Sequence, residues 1–218
     1  MQAYGTGIRL DTHGTDTMPS KSAVIGMIAA AMGRRRNEDI SDLRSLRFGV
    51  RADEPGTLLR DFHMAHIWDI DENGCYLNTT KAEYLTHRYY IQDGCFTVGL
   101  EGDAEFLEKC GKALEHPVFP LYLGRRACVP DIGMVRGIAD GNLETVLKTL
   151  PKQPRCRFIN NEFTEKAVLK GESEYMRICV ETSGPGDRMR HDNPMSFNFH
   201  KKQYSYRKEK EYFAEIKS

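Results

Sequence analysis

Three groups of residues carry side chains whose type and spacing could do chemistry. The first is Gly124-Arg125-Arg126, at the end of the apolar run Phe119-Pro-Leu-Tyr-Leu123 and bracketed by Pro120 and Pro130. Adjacent guanidiniums after a glycine can grip a phosphate bidentately, because each planar fork matches two anionic oxygens. The same letters fit one arginine paired with a carboxylate and the other solvated. The second group is Ser20-Lys21-Ser22, ahead of the apolar run from Ala23 to Met32. Free backbone N–H groups at a helix start, two hydroxyls and an ammonium together make an anion site; plain capping explains the serines equally well. The third group lies between residues 63 and 89, where His63, His66, His87 and Tyr89 offer acids and bases. They stand beside Trp68, Tyr76, Tyr84, Lys81 and Arg88. Aromatic rings next to cations suit stacking and backbone contact with single-stranded nucleic acid. The alternative is a loop folded back so that its rings cap the core. If helical, His63 and His66 could also face one metal, but the neighbouring letters complete no ligand set.

These groups need elements to hold them. Pro19, Ser20 and Ser22 predict a helix start, the run to Met32 is apolar nearly all round and therefore buried, and Gly33 is a natural stop. Arg34-Arg-Arg36 then reads as a solvated face offset by Glu38 and Asp39. Asp39 to Leu46 has short helical periodicity. Phe48–Ala52 and Leu58–Phe62 predict strands paired around a Glu54-Pro-Gly56 turn. Residues 63 to 88, with an Asn73-Gly74 turn, predict a protruding hairpin or long loop. Arg88 to Leu100 is strand-like, and Asp103 caps a helix from Ala104 to Glu115. The stretch from Phe119 predicts a buried strand ending at Gly124, where the backbone turns or approaches a ligand closely. A strand near Met134–Ile138 follows, then a helix from Leu143 to Leu150 capped by Asn142. The polar segment from Gln2 to Thr17 predicts an exposed loop with at most a short strand at 8–10, and after Pro154 the pattern turns to β, with strands expected at 155–160, 166–170 and 175–182. The tail from Lys201, with three glutamates among its Lys, Arg and Tyr, reads as solvated. The whole predicts an α+β fold with helices on one face of a sheet.

The 218 residues, 40% hydrophobic and 28% charged, are those of a globular chain with a real core. Equal numbers of basic and acidic residues, 31 of each, exclude indiscriminate coating of nucleic acid, so any anion site is local. The six cysteines stand singly without Cys-x-x-Cys, which disfavours a zinc site or disulfide framework. No apolar run is long enough to cross a membrane and the start lacks a secretion signal, so a cytoplasmic protein is expected. P-loop, dinucleotide, esterase and zinc-protease signatures are absent.

Taken in order, Met1-Gln-Ala-Tyr-Gly, Pro19-Ser-Lys-Ser22 with Gly26, Thr86-His-Arg-Tyr-Tyr-Ile-Gln-Asp-Gly-Cys-Phe-Thr-Val-Gly-Leu100 and Tyr122-Leu-Gly-Arg-Arg-Ala-Cys-Val-Pro130 resemble the Cas-five family of CRISPR-associated proteins, type I-E branch. Asn193-Pro-Met-Ser-Phe197, Tyr204 and Arg207 extend the resemblance over nearly the whole chain. It implies a single ferredoxin-like, RNA-recognition-like RAMP domain over 1–218, with a thumb at 63–88 and a β-rich part at 155–218. It further implies a non-catalytic subunit of a Cascade surveillance complex in antiviral defence, binding the 5′ handle of CRISPR RNA and capping the backbone filament. Partners would be that RNA, the backbone subunit and the large subunit, with no cofactor, metal or membrane. By the resemblance, Ser20, Lys21, Ser22, Arg88, Arg125 and Arg126 contact RNA. Type I-C relatives cleave repeat RNA without metal, which is the alternative activity. Members usually begin with an apolar strand of about ten residues ahead of the Met-Gln pair. Here the sequence starts at that pair, which would leave a neighbouring strand edge unpaired; either the true start lies upstream or another segment fills the gap.

Overall fold

The computed structural model describes residues 1–5, 12–153, 156–159, 162–165, 173–198 and 200–217. Along the chain these form β1 (Thr12–His13), α1 (Lys21–Ala31), α2 (Ser41–Ser45), β2 (Arg47–Glu54), β3 (Thr57–Ile70), β4 (Tyr76–Gln92), β5 (Cys95–Glu101) and α3 (Ala104–Glu115). Then come α4 (Leu143–Thr149), β6 (Cys156–Ile159), β7 (Glu162–Glu165), β8 (Ser173–Glu181), β9 (Arg188–Ser196) and β10 (Gln203–Lys217). No described helix is long and apolar enough to cross a membrane. The strands expected at 8–10 and 166–170 lie outside the described residues.

The centre is a five-stranded antiparallel sheet in the order β5-β2-β8-β10-β9. Among the described residues β5 is paired on one side only. Because side chains alternate across a strand, Phe48, Val50 and Ala52 face one way and pack with Val24, Ile25, Ile28, Leu43 and Cys110 of α1, α2 and α3. The other face carries Ile178 and Val180, which pack with Leu143 and Leu147 of α4 and Ile216 of β10. The expectation of helices on one face is thus corrected: three cover one side and α4 the other. Two glycines make room for α4. Gly49 and Gly99 are cross-strand partners, and a Cβ on Gly99 would meet Leu143 Cδ1 at 2.5 Å. Arg51, fully buried on that face, donates to the carbonyls of Leu147 and Leu150, both at 2.6 Å, and to Asp53 Oδ1 at 2.6 Å. It satisfies the free carbonyls at the end of α4 and is itself neutralised.

Other expectations hold closely. Ser20 caps α1 and Gly33 follows it at φ +77°; Asp103 caps α3 and Asn142 caps α4. Several are corrected. β2 and the following strand do not pair with each other: β2 joins β5 and β8, whereas β3 pairs with β4 in a separate sheet. Gly56, at φ +72°, turns the chain from one sheet to the other so tightly that a Cβ would meet Gln92 O at 2.5 Å. No strand forms over Phe119–Leu123 or Met134–Ile138. The first follows Pro117 and contains Pro120, which lack the donor a ladder needs; the second follows Gly133 and contains Gly137, both at positive φ. The tail is not a solvated segment but β10, with Ile216 buried and β8 and β9 on either side.

β3, of 14 residues, and β4, of 17, form a long antiparallel hairpin. At about 3.3 Å per residue β3 would reach roughly 45 Å. At its tip Asp71 accepts from the backbone N–H groups of Asn73 at 2.9 Å and Cys75 at 2.8 Å. Trp68, Tyr76 and Tyr84 are exposed along the hairpin and do not cap the core.

Candidate nucleic-acid interface

The helix start that sequence marks as an anion site has been organised differently by its own chain. Ser20 is the N-cap, its Oγ accepting from the Ala23 N–H at 3.3 Å. The Lys21 N–H, one of the free donors of the first turn, is taken by Asp192 Oδ2 at 3.0 Å. Lys21 does not face solvent as a free cation. Its side chain is 2% exposed and its Nζ donates to Glu181 Oε2 at 2.8 Å. Burial pushes the ammonium below its usual range, and the hydrogen bond it donates to Glu181 opposes that fall. The cation expected to meet a phosphate therefore anchors α1 to β8. The carboxylate at the helix tip is also internal, because Asp192 in turn accepts from Arg207 Nε at 2.6 Å.

What remains open beside the helix start is a cleft of about 270 Å³ lined by Tyr4, His13, Ser20, Ser22, Gly124, Arg125 and Tyr204 among others. The Ser20 and Ser22 hydroxyls lie 3.2 Å apart in its wall. Opposite them sits the loop that carries the arginines. It is closed by hydrogen bonds from Leu123 N to Cys128 O at 2.7 Å and from Cys128 N to Arg125 O at 2.8 Å, and it is tied to the N-terminal segment by Ala3 N to Leu123 O at 3.0 Å. Gly124 is required twice over, by φ +88° and because a Cβ would lie 1.7 Å from Ala3 O. The close approach foreseen for this glycine is to the chain's own first residues.

Arg125 is the best-placed cation of the cleft. Its Cζ lies 4.7 Å over the Tyr90 ring and its Nη2 donates to His13 O at 2.8 Å, which fixes the guanidinium by stacking and a hydrogen bond. Its Nη1 is buried and has no hydrogen-bond partner among the described residues. A buried, unpaired donor on a charged group is costly unless a ligand completes it. Among the described residues no acidic side chain lines the cleft to neutralise this charge.

The other expected contacts spread outward. Arg88 is half-buried on β4, two residues from Tyr90 and hence on the same face of that strand. Arg126 is exposed beyond the cleft. The structure therefore brings Ser20, Ser22 and Arg125 together, sets Arg88 nearby on the Tyr90 face, leaves Arg126 at the rim and removes Lys21. Sequence reading missed Tyr90 as the platform for Arg125 and Tyr204 as a cleft wall. The strict alternation of Tyr204-x-Tyr206 was the available signal, and in a strand it puts both rings on one side.

The histidines do not converge. His63 pairs with Thr86, His66 with Glu83 and Phe62 with His87 in the β3–β4 register. Opposed residues share a face, so His66 and His87 lie on one side of the hairpin and His63 on the other, which also rules out His63 and His66 as a metal pair. His66 and His87 are four residues apart along the strands, roughly 13 Å. His66 Nδ1 lies 3.3 Å from Glu83 Oε1, and Arg60 holds the His87 ring, with Nη2 to Nε2 at 2.9 Å.

A sheet with helices on both faces, a projecting hairpin and a cleft carrying Arg125 where loop, helix start and hairpin base meet define a mixed α+β protein. Residues 1–209 match the family described as CRISPR-associated protein (Cas_Cas5), and the chain belongs to that family. It is 32% identical over 143 residues to the CRISPR system Cascade subunit CasD of Escherichia coli (strain K12), a match covering 59% of this chain and 62% of that protein. The matched stretch thus spans less than two thirds of this curated relative. Among solved structures it is similar to a chain of a CRISPR RNA-guided surveillance complex, with 29% identity, a TM-score of 0.77, and 100% of this chain and 87% of that chain covered. It is also similar to a structure described as a Cas protein, with 32% identity, a TM-score of 0.67 and coverage of 97% and 89%.

Proposed function

We propose that this chain is a non-catalytic subunit of a Cascade-type surveillance complex that holds the 5′ handle of CRISPR RNA. The observation that carries the reading is the buried Nη1 of Arg125, without a partner among the described residues, in a cleft walled by two serine hydroxyls. A phosphate there would complete the guanidinium and accept from both hydroxyls. Arg88 and Arg126 would follow the backbone on either side. Lys21 acts one layer beneath, fixing the helix that presents the serines.

The architecture supports the same reading. α1, β2, β5 and α3 follow one another in the helix, strand, strand, helix order of a ferredoxin-like unit, and the long β3–β4 hairpin interrupts it between β2 and β5. That hairpin takes the place of the thumb, whose exposed rings would meet unstacked bases. The backbone and large subunits that the family resemblance implies would cover further surface. The histidine placement favours holding over cutting, because general acid and base must both reach the scissile 2′-hydroxyl and its leaving group.

The test is to incubate the purified chain with the CRISPR repeat RNA of its own genome in EDTA and resolve both shifted bands and cut products. A shift without cutting is expected. Cleavage lost on His87→Ala would replace this reading with a ribonuclease, and absence of any shift would refute both.

A further inference from the structure

We propose that His191, Tyr204 and Tyr206 form a stacking platform for an unpaired RNA base, next to the phosphate cleft and on the open face of the β9–β10 edge. The inference rests on the reading of that cleft as a phosphate site and adds a recognition element to it. The local cause is a β-bulge. Ser205 pairs with Asn193 but Arg207 pairs with Arg190, so His191 and Asp192 together oppose the single residue Tyr206. Bulges re-aim side chains. Here Asp192 turns inward, 1% exposed, to bind the Lys21 N–H and Arg207, while His191 turns outward.

Outward, His191 meets aromatic rings. Its ring centroid lies 4.6 Å from that of Tyr206, with 37° between the planes, and 6.2 Å from that of Tyr204, edge-on. A ring nitrogen, Nε2, lies 3.2 Å from Tyr204 O, which fixes the imidazole in place. These rings stack on one another and belong to no core cluster: Tyr206 is 64% exposed and Tyr204 37%. Large exposed rings held rigid at low entropic cost are binding surfaces rather than stabilising ones.

Two observations select a nucleobase rather than a protein side chain as the occupant. Tyr204 is itself a wall of the cleft that holds Ser20, Ser22 and Arg125, so the platform continues the phosphate site without a break. The surroundings are also basic. Arg36 lies close enough to Tyr204 to oppose the burial-driven rise of its phenol pKa, and Lys201 and Lys202, both exposed, precede the strand. Tyr204 and Tyr206 are about 7 Å apart along one strand face, comparable with one extended nucleotide. A chain whose phosphate sits at Arg125 can therefore lay an adjoining base on Tyr206. Because every base has a π-face, the platform orders the strand without reading its letter.

The test uses the repeat RNA carrying 2-aminopurine at one position at a time. With the unaltered chain, one position near the cleft-bound phosphate loses fluorescence on binding. In Tyr206→Ala that quenching is lost and affinity falls about tenfold, while the salt dependence set by Arg125 is unchanged. Tyr206→Trp restores the quenching, which separates stacking from a folding defect. An abasic nucleotide at the quenched position weakens the unaltered chain but not Tyr206→Ala further. Equal affinity and equal emission in Tyr206→Ala, with RNA still bound through Arg125, would overturn the platform and leave the cleft reading intact. The same result with loss of a neighbouring subunit from the assembled complex would assign the rings to protein docking instead. Loss of RNA binding in Arg125→Ala alone would show the cleft to be sound independently of the platform.

Discussion

At the scale of single residues, two cations adjoining one helix start have opposite roles, and their surroundings decide which is which. Lys21 is buried against Glu181, so removing it leaves a partly buried carboxylate without its counter-charge. Lys21→Met should lower stability by about 1–3 kcal/mol, read as a reduced urea midpoint, with RNA affinity unchanged under conditions where the variant is folded. A loss of affinity in the folded variant would return Lys21 to the interface. Arg125, half-exposed with one nitrogen unmatched, should behave the other way round. Sequence could not make this distinction. Ser-Lys-Ser before an apolar run looks the same whether the ammonium turns to solvent or to Glu181, which lies 160 residues further on.

At the scale of elements, the glycines set how closely pieces pack. Gly124 lets the arginine loop lie against the first residues of the chain, and any side chain there meets both a positive φ and Ala3 O. Gly124→Ala should cost more than the roughly 1–2 kcal/mol of a left-handed residue and weaken RNA binding through displacement of Arg125. Retained stability and affinity would contradict the packing described. Gly99→Val should push α4 off the sheet, removing the acceptors of Arg51, and lower the thermal midpoint without touching the cleft. Helices were the most legible elements, because Ser20, Asp103 and Asn142 are caps written in the sequence next to periodic apolar runs. The stretch from Phe119 misled because its apolar residues look like a strand while Pro117 and Pro120 deny it a ladder. β10 misled for a different reason: its inward-facing positions include Arg207 and Glu209, each under a tenth exposed. They pair with each other and with Asp192 and Arg188 of β9. A strand whose buried face is charged carries the alternation of a solvated tail.

At the scale of the whole molecule, ion pairs join β8 to β10 and the end of α1 to α2, and stability should depend on pH accordingly. The Arg177 hydrogen bond holds the Glu211 carboxyl below its ordinary range, and the Arg34 hydrogen bond does the same for Asp42. A carboxyl depressed in the folded state contributes stability that is present above its unfolded pKa and lost as pH falls through the folded one. The chain should therefore lose stability below about pH 4.5, the ordinary glutamate value, and Glu211→Gln should flatten that acid limb in urea titrations. An unaltered acid limb would mean that the pair is not formed in solution. The zero net charge was legible and rightly directed attention to local clusters. The sequence did not reveal that the cleft assembles from residues near 4, 13, 20, 125 and 204, since only the folded chain brings them together.

The central claim is that Arg125 holds an RNA phosphate in the cleft beside Ser20 and Ser22. The most direct measurement is the affinity for the repeat RNA as a function of salt, with and without Arg125→Ala. The account predicts binding weaker by about 10- to 100-fold, as for a lost charge-assisted hydrogen bond. It also predicts a plot of log affinity against log salt shallower by about 0.7, one phosphate contact on a single strand. Equal affinity and equal slope in the two proteins would contradict it.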